Sequence, residues 1–285
     1  MMKLCRFLDP KNRSRVGLIV AGEVLDLSAE GIDRLSALLD FEALLPQLSA
    51  LAGQNLPRHP LAAVRLLAPV DSQEVWAAGV TYLRSKTARM EESTFSASAY
   101  DRVYDAERPE IFFKAMPEKV VGPGEAVGIR RDARWNVPEP ELALVLNARG
   151  HLVGYTAGND MSSRDIEGEN LLYLPQAKIY DRSCALGPCL VVGADESDAR
   201  AWTIAVRIAR GGQEIFSGET SVAQIKRSFA ELAAWLTRSQ SFPHGAVLLT
   251  GTGIVPPAEL TLAAGDEVRI DISGIGLLEN PVTVV

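Results

Sequence analysis

Histidine and cysteine are scarce in this chain, three of each in 285 residues, and that scarcity narrows the metal chemistry open to it. Cys5, Cys184 and Cys189 include no zinc-type pair, and an odd set of isolated thiols fits a reducing compartment better than a disulfide framework. No apolar run is long enough to cross a bilayer, so no membrane partner is expected. The opening MMKLCRFLDP lacks the apolar core of a signal peptide, which gives the expectation of a cytoplasmic protein. Positive charge is also short: 29 Lys and Arg against 36 Asp and Glu leave a net charge of −7. Contact with phosphate backbones calls for a basic surface, so the composition argues against a general nucleic-acid binder.

What the chain does have is a concentration of acids in residues 137–178, VPEPELALVLNARGHLVGYTAGNDMSSRDIEGENLLYLPQAK. Side chains alternate faces along a strand, so Glu139 and Glu141 point the same way as Ala143 and Val145, while Leu142, Leu144 and Leu146 point the other way. Asn147 to His151 reads as a turn in which Gly150 can take positive φ. With Arg149 and Gly150 as its central residues, Ala148 pairs with His151, and the same register sets Asp160 across from Glu139. Three carboxylates then share one patch. Ionised carboxylates within about 5 Å repel by several kcal/mol at intermediate dielectric, so the patch must hold protons or a cation. With histidine scarce and the cysteines outside this hairpin, the ligands are hard oxygens suited to Mg²⁺, Mn²⁺ or Ca²⁺. The alternative is an acidic strand edge, guarded by Pro138 and Pro140, whose glutamates are simply solvated.

Around this stretch the chain divides by texture. Residues 1–65 read as a small N-terminal α/β domain, with two short strands around Ala21-Gly22, helical spacing through Leu35, Leu38, Leu39 and Leu44, and NLPRHP (55–60) as a linker. Residues 66–285 read as a β-rich domain, many short strands separated by Gly and Pro. Two helices interrupt it, over residues 82–93 and 222–239, the second with an apolar stripe of Ile225, Phe229, Leu232, Ala233 and Leu236. The class is therefore α+β, mainly β.

Several segments outside the hairpin carry candidate chemistry. GVTYLRSKTARMEES (79–93) leaves a strand and enters a charged helix with Thr81 or Ser85 near its start. A helix N-terminus suits an anion, and Arg84 adds a fork for a carboxylate; a capped surface helix is the plainer alternative. RPEIFFKAM places Glu110, Phe112 and Lys114 on one strand face, which lines a pocket or forms an exposed edge with a weak ion pair. Lys178, in LPQAKIYD, becomes a plausible acid or base if a divalent cation lies nearby, and is otherwise an ordinary loop lysine. Arg164, Asp165 and Glu167 read as braces for the loop. TGTG (250–253) offers Thr252 and backbone amides to a substrate oxygen, without the lysine and helix of a phosphate loop.

Together these motifs resemble the fumarylacetoacetate hydrolase family: E-x-E at Glu139 and Glu141, N-D-x-S-x-R-D from Asn159 to Asp165, a lysine eighteen residues past Asp160, L-G-P at 186–188 and the late TGTG. The resemblance covers roughly residues 66–285. It implies a catalytic domain of mixed β-roll type, a small N-terminal domain, a homodimer, and Mg²⁺ or Mn²⁺ on Glu139, Glu141 and Asp160, with Lys178 beside the metal and Thr252 at the substrate. Acylpyruvate hydrolases of the family carry a histidine in the segment matching GVTYLRSKTARMEES, which here has none. TYLRS, RPEIFFK, VPEPELAL and IEGENLLYLPQAK resemble instead the subgroup that dehydrates 2-keto-3-deoxy sugar acids. That resemblance implies Glu110 and Lys178 as the proton-transfer pair, with Arg84, Ser85 and Thr252 orienting the substrate and Thr81 and Tyr82 shaping its entry. C–C hydrolysis or β-keto acid decarboxylation on the same scaffold is the second reading, and a metal-binding scaffold without catalysis the third.

Overall fold

The structure, a computed structural model, describes residues 1–85, 87 and 97–285, with the side chains of 97–100 left aside. Two sheets organise it. Among the described residues twelve strands form the larger one, which from Met2–Leu8 to one edge runs Met2–Leu8, Cys184–Val192, Leu152–Asp160, Pro140–Leu146, Ala246–Leu249, Glu74–Gly79, Glu110–Ala115 in spatial order. The smaller has five strands, with Thr203–Arg210 and Glu267–Ile272 near its middle.

Burial patterns explain the layering. In Glu267–Ile272, Val268, Ile270 and Ile272 are buried while Arg269 and Asp271 are exposed, the alternation of a sheet with one wet face. Pro140–Leu146 is buried at every position, because it is covered on both sides. Leu142, Leu144 and Leu146 share a core with Ile204, Ile208 and Ile270 of the smaller sheet and with Phe229 and Leu232 of the helix Phe229–Thr237. Ala143 and Val145 pack into a second core with Leu35, Leu38 and Leu48 from the two N-terminal helices. The acidic face of the hairpin thus begins as an apolar one and turns polar only near Glu141.

The N-terminal residues join this sheet directly, since Met2, Lys3 and Leu4 pair with Val192, Val191 and Leu190. Arg58–Pro60, which composition reads as a linker, is an edge strand pairing with Glu23–Leu25; prolines are tolerated at an edge. The helical run expected after residue 33 is split into Leu35–Leu39 and Leu44–Ala52. The helix expected over 222–239 spans only Phe229–Thr237, because the Ser228 hydroxyl caps it by accepting from the Glu231 N–H. Of the helix expected over 82–93, Leu83–Ser85 and Thr87 are helical, Tyr82 precedes the helix, and residues 86 and 88–93 lie outside the described residues. No helix among the described residues is long and apolar enough to cross a membrane.

Candidate active site

The hairpin delivers its acids as the spacing predicts, by a different route. Its turn has three residues, not two: the Asn147 N–H donates to the His151 carbonyl at 3.0 Å, Gly150 sits at φ 76°, and the Asn147 side chain accepts from the N–H groups of Arg149 and His151. The extra residue shifts the register by one, and a bulge between Val145 and Leu146 shifts it back. Pro140 therefore faces Asn159, and the Asp160 N–H donates to the Glu139 carbonyl at 3.0 Å.

Glu139, Glu141 and Asp160 are all buried, and one carboxylate oxygen from each lies within 4.8 Å of the others. The solvated strand edge is thereby set aside. Burial first, then the charges of Asp160 and Glu139, pushes the Glu141 carboxyl well above the ordinary carboxylate range; Lys178 and the Gly251 N–H only partly offset this. That N–H donates to Glu141 Oε2 at 2.6 Å. Gly251 stands at φ +89°, where a Cβ would lie 2.2 Å from Thr81 Oγ1, so this contact depends on glycine. A buried set of three hard oxygens, one of them driven toward protonation by its neighbours, fits a divalent cation.

Cationic side chains fasten the acids from behind. Lys178 ends the short helix Leu174–Lys178, and its ammonium donates to Glu139 Oε2 at 2.8 Å, Asp160 Oδ2 at 3.0 Å and Ser162 Oγ at 2.6 Å. Arg164 Nη1 donates to Glu139 Oε1 at 2.7 Å. Lys114, also fully buried, reaches Asp160 Oδ1.

A pocket opens onto the triad. Lys178, Glu110, Ser85 and Thr252 line it with the three acids. The strand alternation that puts Glu110, Phe112 and Lys114 on one face brings Glu110 and Phe112 into the lining and Lys114 behind it. Thr81, Tyr82 and Arg84 are not among the lining residues. Val80, at φ 52°, turns the chain so that the helix begins only at Leu83, which leaves the two residues before it facing inward. The Thr81 hydroxyl donates to the Thr250 carbonyl at 2.5 Å and so braces the TGTG turn. Tyr82 is fully buried in the core against Gly253, and burial with the nearby Glu141 charge pushes its phenol up. Arg84 is exposed on the helix.

The lining also includes residues that the sequence does not mark as candidates, Glu167 and Leu174 among them. Glu167, read as a brace, is buried at the pocket wall, and Leu174 closes another side. Asp165 does brace, accepting from the Arg134 N–H at 2.7 Å. For Glu167 the available signal was its distance of seven residues from Asp160 on a segment already pinned by Arg164.

The sequence pattern described as fumarylacetoacetate (FAA) hydrolase C-terminal matches residues 74–283, which contain every residue of this site. The chain belongs to the fumarylacetoacetate hydrolase family. Within the family it is 47% identical, over 92% of its length and 86% of the other protein, to a probable 2-keto-3-deoxyxylonate dehydratase of Haloferax volcanii. It is 42% identical, over 77% of its length and 74% of the other protein, to a 2-dehydro-3-deoxy-D-arabinonate dehydratase of Saccharolobus solfataricus. A solved 2-keto-3-deoxy-D-arabinonate dehydratase complexed with magnesium and 2,5-dioxopentanoate superposes with a TM-score of 0.84 at 34% identity, covering all of this chain and 99% of that one. The mainly β fold expected from the family resemblance is borne out.

Proposed function

We propose that this protein is a divalent-metal-dependent dehydratase that converts 2-keto-3-deoxy-D-arabinonate, equivalently 2-keto-3-deoxy-D-xylonate, to 2,5-dioxopentanoate, with Mg²⁺ as its ion. The observation that carries the reading is the Lys178 ammonium resting on Glu139 and Asp160 in the wall of a pocket that also presents Glu110. The relatives named above support the substrate class, and the Mg²⁺ complex of the similar dehydratase supports the ion.

Glu139, Glu141 and Asp160 would hold the ion, which when bound supplies Lewis acidity at the substrate's 2-keto carbonyl and so acidifies the protons on C3. Glu110, as carboxylate, takes a C3 proton. The electron pair of that C–H bond forms the C3=C4 double bond as the C4–O bond breaks. Lys178 enters as an ammonium, since it donates to three acceptors, and its proton goes to the departing hydroxyl, releasing water. The unsaturated keto acid then tautomerises to 2,5-dioxopentanoate. The hydroxyls of Ser85 and Thr252, both at the pocket wall, orient the polar tail, and Phe112 and Leu174 limit the water around it. We extend the reading to a cytoplasmic homodimer, for which light scattering predicts a mass twice that of one chain.

The test is a panel. Purified protein with Mg²⁺ is incubated with 2-keto-3-deoxy pentonates and hexonates, acylpyruvates and oxaloacetate, and products are followed by mass. Loss of one water from a keto-deoxy acid supports the dehydratase; cleavage of the acylpyruvates or oxaloacetate, with the keto-deoxy acids untouched, contradicts it.

A further inference from the structure

Lys114 takes no part in that scheme, yet its side chain is fully buried. Its Nζ lies 2.5 Å from Asp160 Oδ1 and donates to the backbone carbonyls of Met161 at 3.0 Å and Lys178 at 2.5 Å, with the Tyr180 ring 5.9 Å away. Lys178 meets the other oxygen of the same acid, Oδ2, at 3.0 Å. Both oxygens of Asp160 therefore already face an ammonium. A divalent ion on the triad shares that carboxylate with two fixed positive charges, and like charges this close in a poorly solvated site repel strongly. A 2-keto acid adds a carboxylate beside the ion and relieves the repulsion. Glu110 and Glu167 belong to the same pocket whether or not position 114 is charged, so they do not alter a comparison between variants at that position.

We propose that Lys114 is a built-in counter-charge that keeps divalent-ion binding weak until a 2-keto carboxylate arrives, so that ion and substrate bind as one coupled event. The proposal rests on the reading of the triad as the metal site. It assigns Lys114 a role beyond tethering two carbonyls: a tether alone would make its removal loosen the site, whereas a counter-charge makes its removal strengthen the hold on the ion. Coupling of this kind is reciprocal, so Mg²⁺ must tighten keto-acid binding by the same factor.

The experiment is calorimetric titration of Mg²⁺, with and without saturating pyruvate, a 2-keto acid with no C4 hydroxyl to lose. The proteins are wild type, Lys114→Met and Lys114→Arg. In wild type, pyruvate is expected to tighten Mg²⁺ binding about tenfold or more. Lys114→Met should bind Mg²⁺ alone about tenfold more tightly than wild type and gain less from pyruvate, while Lys114→Arg, which keeps the charge, should follow wild type. Lys114→Gln, neutral but still a donor to the two carbonyls, replaces the methionine variant if that does not fold. Wild-type Mg²⁺ affinity indifferent to pyruvate overturns the proposal, and so does a folded neutral variant that binds Mg²⁺ no more tightly than wild type. A wild-type protein that binds no Mg²⁺ under either condition overturns the metal site itself, which keeps the two failures distinguishable.

Discussion

Gly79 faces Glu110 across the paired strands Glu74–Gly79 and Glu110–Ala115, and a Cβ built on Gly79 would stand 2.0 Å from Glu110 Oε2. The glycine is what leaves room for the carboxylate. Because the colliding atoms are the tip of a flexible side chain, Gly79→Ala should fold normally and swing the carboxylate aside. Misplacing a reacting group by about 1 Å can lower turnover about 10²-fold, and that is the loss predicted for kcat, approaching that of Glu110→Gln. Steady-state kinetics beside a thermal melt checks it. Wild-type kcat in Gly79→Ala would remove Glu110 from the mechanism.

On the proposed mechanism, a Lys178 variant separates ion binding from chemistry. Lys178→Met removes the ammonium from Glu139 and Asp160 but leaves all three acids, so Mg²⁺ should still bind while dehydration falls about 10²-fold or more. Calorimetry and product analysis on one preparation test the pair of outcomes. Unchanged turnover would assign the proton to another group.

Much of this site could be read from spacing because a strand offers only two faces. The order E-x-E, turn, Asp160 leaves few registers, and a two-residue turn predicts the observed pairing although the turn has three residues, since the bulge at Val145 compensates. The resemblance implies substrate roles for Thr81, Tyr82 and Arg84, on a segment that reads as a helix with Thr81 or Ser85 near its start. The turn at Val80 delays that start and buries two of the three. Lys114 gave no usable signal, because a lysine alternating with phenylalanine looks the same on a wet edge as beneath a pocket. Glu110–Ala115 does end the sheet, and only the segments that cover it there, bringing Asp160 and the carbonyls of Met161 and Lys178 onto the Lys114 ammonium, tell the two apart.

Asp266 supplies a stability prediction far from the pocket. Burial alone would push its carboxyl up, but the Arg210 guanidinium, at 2.7 and 2.8 Å, and the Ala263 N–H outweigh burial and hold it below the usual range. A depressed acid contributes stability above its unfolded-state value near pH 4, lost as pH falls through the folded value. Asp266→Asn is predicted to destabilise by about 1–3 kcal/mol at pH 7, with the difference from wild type shrinking toward pH 3. Urea unfolding across that range reads it. A difference independent of pH would show that the ionised pair contributes nothing.

Glu141 gives the opposite sign. Its raised carboxyl holds a proton more firmly in the folded, metal-free protein than in the unfolded chain, so metal-free stability should fall as pH rises above the ordinary carboxylate range. An ion on the triad reverses that loss. The rise in melting temperature on adding Mg²⁺ is therefore predicted to be small at pH 5 and larger at pH 8. A rise that is equal at both, or greater at pH 5, would contradict the assignment.

The dependence of dehydration on an ion held by Glu139, Glu141 and Asp160 is tested most directly by one assay. Release of 2,5-dioxopentanoate from 2-keto-3-deoxy-D-arabinonate is measured for wild type and Glu141→Gln, each after EDTA treatment and again after Mg²⁺ is restored. Wild-type turnover should vanish with EDTA and return with Mg²⁺, and Glu141→Gln should be inactive in both states with its melt intact. Turnover that survives EDTA, or a fully active Glu141→Gln, contradicts it.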